Sequence, residues 1–130
     1  MEEKKSLMKT LIELAEIDGK LIEREYAFLW AIASQLGLSK EKFEELFQEE
    51  IPFNPPANEF ERIIQFQRMV LMMSVDENAS ETEVNYVKEM GLKMGLNPMS
   101  ISNVLLEMKN HPNHMIPPNV LIQIFQRHHN

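Results

Sequence analysis

The sequence predicts an all-α fold, a single-domain helical bundle of about seven helices built from two related three-helix units around a buried central helix. Three observations support this prediction. Apolar residues recur every three or four positions through most of the chain, which is the period of an amphipathic helix. No segment alternates apolar and polar residues for long enough to form a strand. The second half of the chain also repeats the pattern of the first half.

The first unit contains three predicted helices. Leu11 and Leu14 belong to the apolar stripe of the first helix, and Leu29 belongs to that of the second. Gly37 ends the second helix, because glycine tolerates the left-handed backbone that follows a helix. Ser39 then offers its hydroxyl as the N-cap of a short third helix.

A proline-rich segment, residues 51–58, separates the third helix from the fourth. Proline lacks an N–H group and restricts the residue before it, so this segment is predicted to be a loop. Asn58 followed by Glu61 is a capping-box pattern that predicts the start of the fourth helix. Residues 69–73 are apolar on every side of that helix, which predicts a central position in the bundle. The predicted core comprises Leu11, Leu14, Leu29, Trp30, Phe43, Phe47, Ile63, Val70, Leu71, Val87, Met94 and Leu105.

A shift of 58 residues aligns the second half of the chain with the first without a gap. Asp18 is aligned with Asp76 and Glu25 with Glu83, so each unit carries an acidic corner between its first two helices. A match of this length predicts an internal duplication, and the prolines at 117–118 introduce a seventh helix that the first unit lacks. The predicted units span about 7–51 and 65–109, and the predicted helices span 4–17, 23–36, 40–49, 59–75, 81–95, 98–109 and 118–127.

Composition limits the functions that are open to this chain, whose 130 residues suit one domain. The absence of cysteine excludes disulfides, thiolate catalysis and cysteine-based zinc sites. The net charge is −7 and no basic stripe exists, which predicts no nucleic-acid binding and no attraction to anionic membranes. No apolar run approaches the roughly 20 residues of a membrane helix. The start of the chain lacks a signal-peptide pattern, and we therefore expect a cytoplasmic location.

A short motif marks the first corner. An apolar helix ends in Asp18-Gly19 and is followed by Leu21, by Glu25 and by a second helix closed with Leu-Gly-Leu at 36–38. In this motif, and over most of its length, the chain resembles the TerB-like family, which is named for a tellurite-resistance protein. The resemblance implies an all-α bundle of two related helical units, a link to bacterial stress, and corner acids that have been proposed to bind metal.

The second unit departs from this motif. Glu77 stands in place of the glycine, and Ala79 stands in place of the larger apolar residue. A cation site is therefore favoured in the first unit over the second.

The acidic corners offer five candidate ligands for a divalent cation, namely Glu16, Asp18 and Glu25 in the first unit and Asp76 and Glu83 in the second. In a calcium-binding EF-hand loop, Asp18 would take position 5 and Glu25 the bidentate position 12. Position 1 then falls on an apolar residue of the first helix, which has no oxygen to offer. A complete EF-hand is therefore excluded. The remaining candidate cofactor is a weakly bound divalent cation.

The same acids also fit structural roles that need no metal. Ser80 followed by Glu83 is a capping box, and Glu25 occupies the same third helical position after Ile22. The Asp-Gly pair is favourable in a turn because glycine tolerates a positive φ. We expect the corner carboxylates to be open to water, which argues against acid–base catalysis.

The remaining candidates have simpler explanations. His111, His114, His128 and His129 would form a transition-metal site only if the end of the chain folded back, and a polar loop explains them better. Trp30 lies on an apolar helical face, where core packing is the expected role.

The sequence shows no cysteine nucleophile, no glycine-rich phosphate loop and no HExxH motif, so we expect that the chain is not an enzyme. Two classes of function without catalysis remain open. The first class is a cytoplasmic protein-interaction or scaffold module, stress-linked by resemblance, whose acidic surface meets a basic surface of an unidentified partner protein. The second is a divalent-cation-binding domain that uses the corner acids as a sensor. Neither class involves nucleic acid or direct membrane insertion.

Overall fold

The computed structural model describes residues 2–19, 21–75, 80–111 and 116–127. These residues form helices and connecting turns without any strand, so the predicted all-α class is confirmed. Within the described residues the helices are α1 (Glu2–Glu16), α2 (Glu23–Gln35), α3 (Lys40–Glu45), α4 (Glu59–Ser74), α5 (Glu81–Lys93), α6 (Pro98–Glu107) and α7 (Pro118–Arg127), with a short 3-10 helix at Met108–Asn110.

The buried centre of the bundle is α4, which packs against α1, α5 and α7. Met69, Met72 and Met73 are fully buried there, and Val70 is almost so. Burial of this apolar run confirms the predicted central position of the helix. The run is therefore core, and it does not form an exposed interface.

Four residues of the predicted core are only half-buried, which corrects the prediction for Trp30, Phe47, Leu71 and Leu105. Trp30 on α2, Leu105 on α6 and Phe47 in the turn after α3 pack against the core from the edge of the bundle, where just one side of a side chain meets other helices. The remaining predicted core residues are buried, namely Leu11, Leu14, Leu29, Phe43, Ile63, Val70, Val87 and Met94.

The third helix is shorter than predicted, since it ends at Glu45 instead of near residue 49. The side chain of Lys9 donates hydrogen bonds from Nζ to the carbonyls of Leu46 at 2.7 Å and Phe47 at 3.4 Å. These carbonyls, which a longer helix would use in its own hydrogen bonds, are instead satisfied by an ammonium group from α1. A contact distant in sequence therefore fixes this end.

Helices α2 and α5 end in the same way. Gly37 has φ 85° and Gly95 has φ 78°, both in the left-handed region that favours glycine. The N–H of the next residue then bonds back to the carbonyl five positions earlier, at 3.0 Å for Leu38 and 3.1 Å for Leu96. The two glycines lie 58 residues apart, and their matching backbone geometry supports the internal duplication. The superposition of the complete units stays a prediction.

The last described helix, α7, covers one end of α4 and packs along α6. Phe125 meets Phe66 edge-on with 5.9 Å between ring centroids, and Ser100 Oγ donates to the carbonyl of Ile124 at 3.4 Å. The helix begins and ends where the sequence predicts. None of the described helices has both the length and the apolar character needed to cross a membrane.

Candidate functional site

The first acidic corner joins α1 to α2. The chain turns at Gly19, which has φ 82° and donates its N–H to the carbonyl of Glu16 at 2.8 Å. Glu16 and Asp18 are exposed on this turn. Glu25 instead turns back, and its Oε1 accepts the N–H of Ile22 at 3.1 Å, with only 3% of the residue exposed. The predicted capping role of Glu25 is therefore confirmed.

The second acidic corner shows the complete capping box at the start of α5. Glu83 Oε1 accepts the N–H of Ser80 at 3.0 Å, and Ser80 Oγ accepts the N–H of Glu83 at 3.1 Å. Glu83 is as buried as its counterpart in the first unit, with 3% exposed. Asp76, the remaining candidate ligand of this corner, lies outside the described residues.

A side-chain hydrogen bond joins the two corners. Ser80 Oγ donates to Asp18 Oδ2 at 2.9 Å, while the same hydroxyl accepts the N–H of Glu83. The carboxylate of Asp18 therefore lies at the start of α5, where the helix dipole favours negative charge. Nothing in the local sequence signals this contact, because its partners are separated by 62 residues.

The corners differ from the expectation that their carboxylates are open to water. That expectation holds for Glu16 and Asp18 and is wrong for Glu25 and Glu83, because a capping glutamate folds back over the first turn of its helix. Among the described residues, no three His, Asp or Glu side chains converge in a way that could hold a metal ion. What the corners visibly do is cap and connect helices.

His111, the one candidate histidine within the described residues, pairs locally. Its Nε2 lies 2.9 Å from Glu107 Oε2, one helical turn earlier. His114, His128 and His129 lie outside the described residues.

A cleft of about 170 Å³ lies between α1, α5 and the start of the proline-rich loop. Tyr86 reaches across it from α5 and donates its hydroxyl to Glu13 Oε2 at 3.1 Å. Burial, reinforced by the negative charge of Glu13, holds the pKa of Tyr86 far above its ordinary value. This hydrogen bond ties α5 to α1.

A cluster of acidic side chains lies on α3 and the turn after it. Four glutamates and one glutamine line an open, shallow depression of about 530 Å³ there. An exposed ion pair at 4.0 Å (Lys42 with Glu45) and a half-buried one at 3.9 Å (Lys5 with Glu49) offset only part of the charge. We call this surface the acidic face, and it consists of Glu41, Glu44, Glu45, Gln48 and Glu49.

This face is more acidic than its counterpart in the second unit. A shift of 58 residues places Met99 at the position of Glu41 and Leu106 at that of Gln48, and these apolar side chains are 60% and 63% exposed. The other three positions hold Ser102, Asn103 and Glu107, so the equivalent surface keeps one acid. The helical fold accommodates either chemistry, and the acidic face is therefore not a requirement of the fold.

Comparison of the chain with protein-family models, with curated proteins and with solved structures gives no match. The TerB-like resemblance stays a prediction from the corner motif.

Proposed function

We propose that this chain is a non-enzymatic protein-interaction module of the TerB-like type, in which the acidic face binds a basic surface of a partner protein. The link to bacterial stress and the cytoplasmic location are parts of this proposal that come from the sequence alone. One observation carries it, namely that four glutamates cluster around one open, shallow depression, while the equivalent positions of the second unit hold a single acid.

The chemistry of the acidic face suits a basic partner. Carboxylates on neighbouring turns of α3 keep a negative potential in a shallow depression, which attracts cationic side chains and raises the rate of encounter. Glu41 lies in the first turn of α3, where its charge also stabilises the helix. The charges of this face cost the fold little, because most of its side chains remain in water.

The corner acids are explained without a ligand. Glu25 and Glu83 each use one carboxylate oxygen to accept the N–H before their helix, and Asp18 bonds the N-cap serine of α5. These contacts support structural roles for the corners. The carboxylates of the acidic face also make local contacts, but Glu41, Glu44 and Glu45 stay exposed to solvent. This exposure favours the interaction module over a cation sensor.

Binding of a lysine-rich peptide at several salt concentrations tests the proposal. We expect measurable affinity at low salt that falls as salt screens the charges. The double variant Glu41→Gln/Glu45→Gln should bind several-fold more weakly than the parent. A matched control, Glu81→Gln/Glu89→Gln, removes the same charge from exposed positions of α5 and should bind like the parent. Equal weakening in both variants would show an effect of net charge only and would contradict a specific face.

A further inference from the structure

Three aromatic rings surround one ammonium group beside the acidic face. Lys40 Nζ lies 4.7 Å from the ring centroid of Trp30, 5.0 Å from that of Tyr26 and 5.8 Å from that of Phe43. Each distance is within the range in which the negative face of a ring attracts a cation. We call Tyr26, Trp30 and Phe43 the aromatic cage.

The cage is held in shape by the core and does not depend on its lysine. Phe43 is fully buried, and its ring centroid lies 5.4 Å from that of Tyr26 and 5.5 Å from that of Trp30. The Tyr26 hydroxyl donates to Glu44 Oε1 at 3.0 Å, which fixes the ring against α3. A cage built in this way would keep its shape if the ammonium group left.

Apart from the three rings, little holds the ammonium group of Lys40 in the cage. Its side chain is exposed, and no carboxylate of the described residues pairs with its ammonium group. Lys40 is also the first residue of α3, where the helix dipole disfavours a positive charge. A cation brought by another molecule can therefore compete for the rings.

We propose that the aromatic cage binds the alkylammonium group of a lysine side chain in a basic peptide, methylated or unmethylated, and that Lys40 occupies the cage until this side chain displaces it. The inference rests on the proposed function, because it specifies how a basic partner engages the acidic face. Glu44 belongs to both surfaces through its bond to Tyr26, so a peptide lysine in the cage places flanking basic residues over the acidic face. Methylation of that lysine should strengthen binding, since a quaternary ammonium group sheds water more easily and is well suited to aromatic cages.

The fluorescence of Trp30 reports directly on the cage, because it is the only tryptophan of the chain. The intact protein is titrated with tetramethylammonium chloride, with sodium chloride at the same ionic strength, and with 3,3-dimethylbutanol as a neutral molecule of similar shape. We expect a saturable change with tetramethylammonium alone. An equal response to the neutral molecule, or no response to tetramethylammonium, would overturn the cage as a cation site.

Removal of the resident lysine tests displacement. Lys40→Ala should bind tetramethylammonium several-fold more tightly than the parent, because the competing ammonium group is gone. Lys42→Ala is the matched control, since it removes an exposed lysine of the same helix that does not contact the rings. Both substitutions are at exposed positions and should leave the fold intact. Unchanged affinity in Lys40→Ala would overturn the proposal.

A peptide experiment separates this inference from the proposed function. Lysine-rich peptides with lysine, trimethyllysine or uncharged norleucine at the central position are titrated into the parent, Lys40→Ala and Glu41→Gln/Glu45→Gln. We expect affinity in the order trimethyllysine, lysine, norleucine, with tighter binding to Lys40→Ala. Binding that depends on the acidic face but ignores both the central side chain and Lys40 would overturn the cage and leave the proposed function standing. No binding of any peptide to the parent would overturn both.

Discussion

Glu25 and Glu83 are buried carboxylates at equivalent positions of two helices, and each accepts the N–H of the residue before its helix. The two caps are not equally complete. The hydroxyl of Ser80 also accepts the N–H of Glu83, whereas Ile22 has no side-chain acceptor to offer. The start of α2 therefore depends more on its single glutamate than the start of α5 does.

This difference predicts unequal costs of truncation. Glu25→Ala should lower the free energy of unfolding by about 0.5–2 kcal/mol, the range found for the loss of a helix cap. Glu83→Ala should cost less, because the hydroxyl of Ser80 still caps the first turn of α5. Chemical denaturation of the parent and both variants measures the costs. A larger loss in Glu83→Ala would contradict this account of the two caps.

The same substitution decides between capping and cation binding. If Glu25 only caps its helix, the cost of Glu25→Ala should be the same in chelator and in millimolar calcium or manganese. A ligand role would instead stabilise the parent by roughly 2.7 kcal/mol at a hundredfold excess of cation over Kd. Thermal melts of the parent, Glu25→Ala and Asp18→Asn distinguish the two. We expect little dependence on cation, and a rise of several degrees in the parent alone would promote the cation sensor.

At the scale of helices, local patterns predicted more than distant contacts did. The N-caps at Ser39 and Asn58 accept the N–H groups that their positions predict, because a cap depends on residues within one turn. The end of α3 was predicted too late, since it depends on Lys9 of another helix. The link from Asp18 to α5 was missed for the same reason. Only tertiary packing brings such groups together, and the local spacing of residues does not encode these contacts.

The candidate sites show the same difference between local patterns, which the sequence reveals, and contacts between distant residues, which it does not. The sequence singled out the corner acids, whose motif is continuous along the chain, and the structure gives Glu25 and Glu83 capping roles. The aromatic cage was not predicted from the sequence, because Tyr26 and Trp30 come from α2 and Phe43 from α3. The sequence gives the number of acidic residues but does not show that some of them form the acidic face. Only the packing of the third helix shows which of its sides meets water.

The contact between α5 and α1 predicts a specific dependence of stability on pH. The pKa of Tyr86 is higher in the folded protein than in the unfolded chain, chiefly because of burial and then because of Glu13. Its stabilising contribution is therefore complete below the unfolded value of about 10 and is lost as pH rises above it. Unfolding of the parent and Tyr86→Phe between neutral and strongly alkaline pH measures this. The parent should lose more stability above that value than Tyr86→Phe, and parallel curves would contradict the assignment.

At the scale of the whole molecule, the two units differ in the chemistry of equivalent surfaces. Their helix ends and capping glutamates match at positions 58 residues apart, while the four glutamates of the acidic face correspond to a single acid, Glu107, in the second unit. On this difference in surface chemistry we base the proposal that the first unit binds the partner. The aromatic cage lies in the same unit and adjoins the acidic face through Glu44.

The most direct test of this account is a map of amide chemical shifts during titration of the intact protein with a lysine-rich peptide. We expect the largest shifts in residues 26–30 and 40–49, which include the aromatic cage and the acidic face. The counterpart on α6, residues 98–107, should change little and serves as the internal control. Shifts centred on α6, or on the corners at 16–25 and 80–83, would contradict the assignment of partner binding to the first unit's third helix.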